Sequence, residues 1–286
     1  MKQFCPICGS DCRLAGATLS VDDVGRADIL TCPNCRHQWI PNPVAVGEEI
    51  AKKMERRNTA TLSANWLFNL LPFHLGEVRT RSQVRALDIG CWDGSLLVQL
   101  PIQWTRHGVE LNQDAADRAQ TRGLTVFRSS FESIVDYLEP YDLILMMDLL
   151  EHIPSPEFSL FRIAQLLNPG GLFVALTGNG QTPAVRIFRG AWYYFNYPEH
   201  VSFFSETSCA MFLEKQGLMQ VKVKKIAHHS ASLSSTIRKT YNRILQKRNQ
   251  GKAGLSVPRT FLQRIALGSS RVLRRKDHLL ILARKS

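Results

Sequence analysis

No run of apolar residues approaches the ~18 that a membrane-spanning helix requires, and no charged-then-apolar leader precedes the first cysteine, Cys5. Internal repeats and low-complexity tracts are also missing, which sets aside solenoids, arrays and a largely disordered chain. These absences predict a cytoplasmic globular protein, where thiols stay reduced and its seven cysteines point to metal or packing more than to disulfides. Acid is scarce in one place: among residues 222–286 the only carboxylate side chain is Asp277, against 17 of the 36 Lys and Arg. The net charge of +12 therefore divides into +16 on that tail and −4 on residues 1–221. At 286 residues the chain is long enough for a full α/β core with additions.

Two familiar phosphate-loop fingerprints are absent as well, G-x-G-x-x-G and the Gly-Lys-Ser/Thr ending of a mononucleotide loop. In their place stands Arg85–Leu97, RALDIGCWDGSLL: a short apolar strand ending in Asp88, then Gly90 and Gly94 opening a predicted helix. A tight strand-to-helix turn leaves backbone amides and a positive helix end facing a ligand, and glycine lets that ligand approach. This string resembles motif I of the class I S-adenosylmethionine-dependent methyltransferases, with Trp92 where that family usually carries a third glycine.

The next strand, HGVEL, ends in Glu110 and Leu111, 22 residues beyond Asp88, where an acidic side chain can take both ribose hydroxyls. By the same resemblance, VFRSSFESI supplies the adenine turn, with Ser130 in place of the usual Asp and Phe131 as an apolar wall. The buried strand of YDLILMMDLLEHI stops at Asp148, implied to lie near the methionine end of the cofactor or the substrate, and LLNPGGLFVALT feeds the following strand. Such apolar runs also occur in any doubly wound parallel sheet. Glu151 and His152 open the helix after the fourth strand; most such pairs line or cap a pocket, and some hold a metal.

In the first forty residues, Cys5-Pro-Ile-Cys8 and Cys32-Pro-Asn-Cys35 stand 23 residues apart, the spacing of two knuckles closing on one zinc. Cys12 and His37 are the nearby substitutes. So small a segment has too little apolar material to fold without a staple.

Trp192–Phe204, WYYFNYPEHVSFF, falls before a helix that Ser205 is placed to cap. It predicts an acceptor-side segment above the carboxyl ends of the strands, with Tyr197, Glu199 and His200 within four residues. A neutral imidazole suits the base that a methyl transfer needs; packing of a lid is the alternative. The cysteine module, the methyltransferase core and Tyr-x-Glu-His together resemble the deoxysugar C-methyltransferases and related small-molecule enzymes. That resemblance implies His200 as base, Tyr197 and Glu199 as pocket walls, and a small-molecule or glycan acceptor, phosphorylated where it is a nucleotide sugar. The chain lacks the long carboxyl-terminal domain of the sugar enzymes, so C- versus O-methylation does not carry over.

The expected architecture is an α/β, seven-stranded, Rossmann-like class I methyltransferase sheet (83–286) preceded by a zinc ribbon (1–40) and a helical connector (41–82). Within the connector Trp66, Leu67, Leu70, Leu71 and Phe73 form an apolar stripe. MQVKVKKI and DHLLILARK are expected to pair as an edge hairpin that carries a basic helical insertion, 227–276. A basic amphipathic pair of helices suits an anionic membrane face, a phosphorylated substrate or a solvated surface. An RNA methyltransferase is the second reading, and a non-catalytic binding protein on this scaffold the third.

Overall fold

The computed structural model describes residues 3–17, 27–43, 75–154, 156–227 and 276–286. The connector stripe from Trp66 to Phe73, and the insertion apart from its ends at Ala227 and Lys276, lie outside the described residues.

Eleven strands are described: β1 (Arg13–Ala17), β2 (Asp28–Thr31), β3 (Gln38–Trp39), β4 (Arg85–Ile89), β5 (Thr105–Val109), β6 (Thr125–Phe127), β7 (Tyr141–Met147), β8 (Leu167–Gly178), β9 (Ser202–Phe203), β10 (Leu218–Ile226) and β11 (His278–Lys285). Seven form the main sheet in the order β10-β11-β8-β7-β4-β5-β6. Its strands run parallel except β11, which pairs antiparallel with both β8 and β10. This is the expected class I methyltransferase sheet with its terminal hairpin. The continuous apolar run of β7 follows from burial on both faces: Leu143, Ile144, Leu145 and Met146 are all fully enclosed.

Helices α1 (Gln113–Thr121), α2 (Phe131–Ile134), α3 (Pro156–Leu166), α4 (Pro183–Phe188) and α5 (Glu206–Lys215) flank the strands. The Asn112 side chain caps α1 by accepting from the Ala115 amide at 2.7 Å. Ser205 caps α5 as its sequence predicts, in a reciprocal box with Ser208.

The helix expected directly after Gly94 is not formed. Turns and one short 3-10 helix, Leu97–Gln99, occupy the stretch before Pro101. The Asp93 carboxylate accepts from the Ser95 amide at 3.1 Å, which competes with helical bonding, and Pro101 ends the segment a few residues later.

A second sheet, β1-β2-β3-β9, joins the amino-terminal module to the acceptor-side segment. Trp39 pairs with Ser202 and Gln38 with Phe203, and the Ile40 amide donates to the Val201 carbonyl at 2.9 Å. Ile29 and Ile40 from the module share an apolar cluster with Val185, Phe188, Trp192, Tyr194, Phe195 and Phe203. Complete burial of one such large side chain is worth ~1.5–3 kcal/mol.

Candidate active site

The cofactor-side loop begins where β4 ends. Gly90 adopts φ +76°, and the Gly90 and Cys91 amides both donate to the Val109 carbonyl, at 2.8 and 3.1 Å. Trp92 has φ +49° without being glycine, a conformation that favours glycine. Two contacts hold it in that conformation. Its amide donates to Glu110 Oε2 at 2.9 Å, and its ring lies 5.7 Å beneath the Arg118 guanidinium.

Asp88 is 3 % exposed, and its Oδ1 has no hydrogen-bond partner among the described residues. Burial first, then the charge of Glu110, pushes its carboxyl up to about 8. Glu110 sits at the end of β5, accepting from the Trp92 amide and, through Oε1, from the Asn112 amide at 2.8 Å. A carboxylate oxygen accepts more than one hydrogen bond, which suits it to ribose hydroxyls as well as amides. A buried acceptor awaiting a donor, beside a carboxylate that braces the loop, fits the ammonium and ribose hydroxyls of S-adenosylmethionine. Leu111 follows on the exposed rim.

Ser130 and Phe131, expected at the adenine turn, stand at the start of α2. Ser130 Oγ caps α2, accepting from the Ser133 amide at 3.2 Å, and Phe131 is buried in the main core. At the end of β7, Asp148 has φ +49°, its amide donates to the Leu176 carbonyl at 2.8 Å, and its Oδ1 lies 3.9 Å from His278 Nε2.

Across from this loop two imidazoles meet. His200 Nδ1 lies 2.7 Å from the Tyr194 carbonyl, His152 Nδ1 lies 2.9 Å from the Glu199 carbonyl, and the rings are 4.7 Å apart at 80°. A carbonyl only accepts, so each Nδ1 carries a proton, and in the neutral form each Nε2 presents a lone pair. Glu151 lies behind them, fully buried, accepting from Thr177 Oγ1 at 2.7 Å; burial and then the charge of Asp148 raise its carboxyl. One ligand atom from each of Glu151, His152 and His200 lies within 4.8 Å of the others, close enough to share an ion.

Of the expected acceptor-side trio, only His200 enters this constellation through its side chain. Glu199 contributes its carbonyl, while Tyr197 is 4 % exposed in the apolar cluster of Trp192, Phe195 and Phe203. Tyr194 is the residue that sequence reasoning missed. Its hydroxyl accepts from the Gly178 amide at 2.8 Å, and a Cβ built on Gly178 would lie 1.9 Å from the Tyr194 ring, so glycine is required. Burial, then the charge of Glu151, holds the Tyr194 hydroxyl well above its ordinary titration range. His278 and Thr177 were missed too, and nothing local in the sequence marks any of the three.

In the amino-terminal module the four expected cysteines converge. Cys5 and Cys35 sulfurs are 3.5 Å apart, those of Cys8 and Cys32 3.4 Å, and all four ligand atoms lie within 4.8 Å of one another. Disulfides need about 2.05 Å, whereas a tetrahedral ion with Zn–S bonds of ~2.3 Å spaces its thiolates by roughly 3.8 Å. Cys12 stands apart: its thiol donates to the Ser10 carbonyl at 3.3 Å, and burial with the neighbouring thiols pushes it up to about 12. His37 is wholly enclosed, stacked on Trp39 at 5.6 Å and packed 4.9 Å from Phe204; burial lowers its pKa to about 3. It is a neutral packing residue.

A family model described as a methyltransferase domain matches residues 49–223. The ubiquinone biosynthesis O-methyltransferase of Burkholderia pseudomallei (strain 1710b) is 27 % identical over 180 residues, covering 57 % of this chain and 78 % of that protein. The enzyme of the same name from Roseobacter denitrificans is 36 % identical over 107 residues, 34 % of this chain and 42 % of the relative. Among solved structures, a SAM-dependent methyltransferase from Archaeoglobus fulgidus superposes with a TM-score of 0.52 at 18 % identity, over 84 % of this chain and all of that one. A possible histamine N-methyltransferase from Thermotoga maritima gives 0.51 at 18 % identity, over 84 % and 98 %. Both likenesses are of fold.

Proposed function

Because the chain belongs to the methyltransferase-domain family and is an S-adenosylmethionine-dependent methyltransferase, we propose that it methylates a small molecule of a glycan pathway, a nucleotide sugar or a lipid-linked glycan, with His200 as general base. The observation that carries the base assignment is the bond from His200 Nδ1 to the Tyr194 carbonyl, which fixes the proton on Nδ1 and makes Nε2 the basic nitrogen of the ring. The acceptor class rests on the cysteine module together with the Tyr-x-Glu-His segment. A quinone-pathway phenol is the second reading, favoured by the names of the curated relatives.

The chemistry that S-adenosylmethionine supplies when bound is an electrophilic sulfonium methyl. In this reading Asp88 receives the ammonium, Glu110 takes ribose hydroxyls while bracing the Trp92 amide, and Asp148 closes the methionine end. Leu111, Ser130 and Phe131 complete that side by their position in the chain. His200 removes the proton from the acceptor hydroxyl or carbon acid. The buried Glu151 carboxylate favours the imidazolium that results.

The four cysteines hold a structural zinc, and the ribbon (1–40), connector (41–82) and catalytic region (83–286) are the working division of the chain. The basic segment 227–276 meets the acceptor's anionic group or an anionic inner-membrane face. In support, its Lys276 end is bonded beside the carboxyl end of β8: Asn179 Nδ2 donates to the Lys276 carbonyl at 2.9 Å, and the Asn179 amide to the Asp277 carbonyl at 2.7 Å. Among the described residues no helix is long and apolar enough to cross a membrane.

Purified protein incubated with radiolabelled S-adenosylmethionine and separate pools of nucleotide sugars, membrane lipid extract, phenolic quinone precursors or total RNA tests the reading. Label in sugars or glycolipid is expected; label confined to quinone precursors selects the second reading, and label in RNA overturns both. His200→Ala is expected to keep cofactor affinity and lose turnover at least a hundredfold, while an unchanged rate makes His200 structural.

A further inference from the structure

Resting on the zinc reading above, we propose that the cysteine knuckle is a positioning element of the acceptor side: an ion held by Cys5, Cys8, Cys32 and Cys35 fixes the segment that carries His200. The two regions are continuous in backbone bonding, not merely adjacent. β3 begins three residues after Cys35 and pairs with β9, which begins two residues after His200. Ser205 Oγ donates to the Cys35 carbonyl itself at 2.7 Å. Side chains add two more ties: Gln38 Nε2 donates to the Gly180 carbonyl at 2.9 Å, and Gln181 Nε2 to the Arg36 carbonyl at 3.0 Å.

The segment's large side chains are buried with Val185 and Phe188, but its backbone pairing comes from the knuckle side. Between Trp192 and Phe204 the only regular element is the two-residue β9, and a strand that short has no stability without its partner. The partner, β3, is also two residues long and sits directly beside the thiolates. Among the described residues the module's own enclosed aliphatic side chains are Ile7, Ile29, Leu30 and Ile40, few for a core, so its order depends on the ion. On its other side the segment touches the catalytic constellation, since the Val201 amide donates to the Glu151 carbonyl at 2.8 Å. Val201 thus receives from β3's side at its carbonyl and gives to Glu151 at its amide, with His200 the preceding residue.

The cofactor loop is held differently. Gly90, Cys91 and Trp92 bond to Val109 and Glu110, which come from β5 and the residue after it, and none of these bonds involves the knuckle. Loss of the ion is therefore expected to disorder the acceptor side and spare the cofactor side.

Metal analysis of the purified full chain comes first; a chain that neither contains nor takes up zinc refutes the zinc reading, and with it this proposal. The zinc-loaded protein is then compared with chelator-treated protein by hydrogen exchange and by S-adenosylmethionine titration. Amides of residues 196–204 are expected to exchange at least tenfold faster without zinc and to recover on its return. Amides of residues 85–111, and cofactor affinity within twofold, are expected to stay unchanged. Unaltered exchange over residues 196–204 overturns the coupling while leaving the zinc reading intact. Where chelation opens the whole chain, the zinc-loaded double variant Gln38→Ala, Gln181→Ala decides: at least threefold faster exchange over residues 196–204 at full zinc content supports the coupling, and no change refutes it.

Discussion

Replacing Asp88 by Asn is expected to stabilise the ligand-free protein at alkaline pH while removing its affinity for S-adenosylmethionine. The carboxyl is 3 % exposed and pushed up to about 8, from an ordinary value of 3.8, by burial and then by the charge of Glu110. A folded-state value above the unfolded one means that, between these limits, the folded protein holds a proton that the unfolded chain has released. The stability so gained is complete at pH below the unfolded value and is lost as pH rises through the folded value. Each tenfold change in proton affinity corresponds to ~1.4 kcal/mol, which puts a ceiling of about 5–6 kcal/mol on the effect. Local relaxation and water entry reduce it to about 2–3 kcal/mol. At ~2–4 °C per kcal/mol for a domain of this size, the wild-type Tm should fall by roughly 5–10 °C relative to Asp88→Asn between about pH 5 and about pH 8.5. Thermal unfolding of both proteins across that range, with calorimetric cofactor titration at the alkaline end, measures both halves of the prediction. Parallel Tm curves would refute the buried ionisation, and retained micromolar affinity in the variant would refute the assignment of Asp88 as a cofactor anchor.

Glu110→Ala strips the acceptor from the Trp92 and Asn112 amides at the price of ~1–3 kcal/mol for each amide left buried; calorimetry should show at least a hundredfold loss of cofactor affinity, and a tenfold or smaller loss would count against the bracing role. Tyr194→Phe leaves the Gly178 amide unsatisfied, for ~1–3 kcal/mol of stability, yet keeps the carbonyl that orients His200; lower Tm with turnover within severalfold is expected, and lost turnover would mean that the phenol takes part in the chemistry. Burial works to lower the His278 pKa, but the Asp277 hydrogen bond and the Asp148 carboxylate together hold it above 6.5. Its contribution is present at pH below its unfolded value and lost as pH rises through the folded one, so His278→Gln should cost more Tm at about pH 5.5 than at about pH 8.5, and an equal cost would refute the ion pairing.

What the sequence made legible was carried by short-range pattern. The strand-turn string around Asp88, the spacing to Glu110, the four cysteines and the terminal hairpin all depend on residues near one another in the chain: the hairpin forms as its pattern predicts, the four sulfurs converge, and the Glu110 carboxylate meets the Trp92 amide. What it hid depends on partners far away. The pairing of Trp39 with Ser202 and the bond from Gln38 to Gly180 have no local signature. Four aromatic residues in a row after Ala191 gave no means of choosing Tyr194, whose role follows from the space that Gly178 leaves. Read from the sequence only as an adenine-turn residue, Ser130 accepts from the Ser133 amide at the start of α2, a capping role that this reading did not include. The missing helix after Gly94 shows a local competition, with Asp93 and Pro101 prevailing over the motif's expectation.

The union of β3 with β9 also orders events in time. During synthesis the first three strands of the small sheet emerge long before Ser202 and Phe203 exist. Until then the free side of Gln38 and Trp39 is an open edge of the kind that recruits other strands. The nascent module therefore keeps an unpaired border until residue 203 has been made. Its two-residue length is the protection: an edge so brief offers a neighbouring chain too few bonds to hold it.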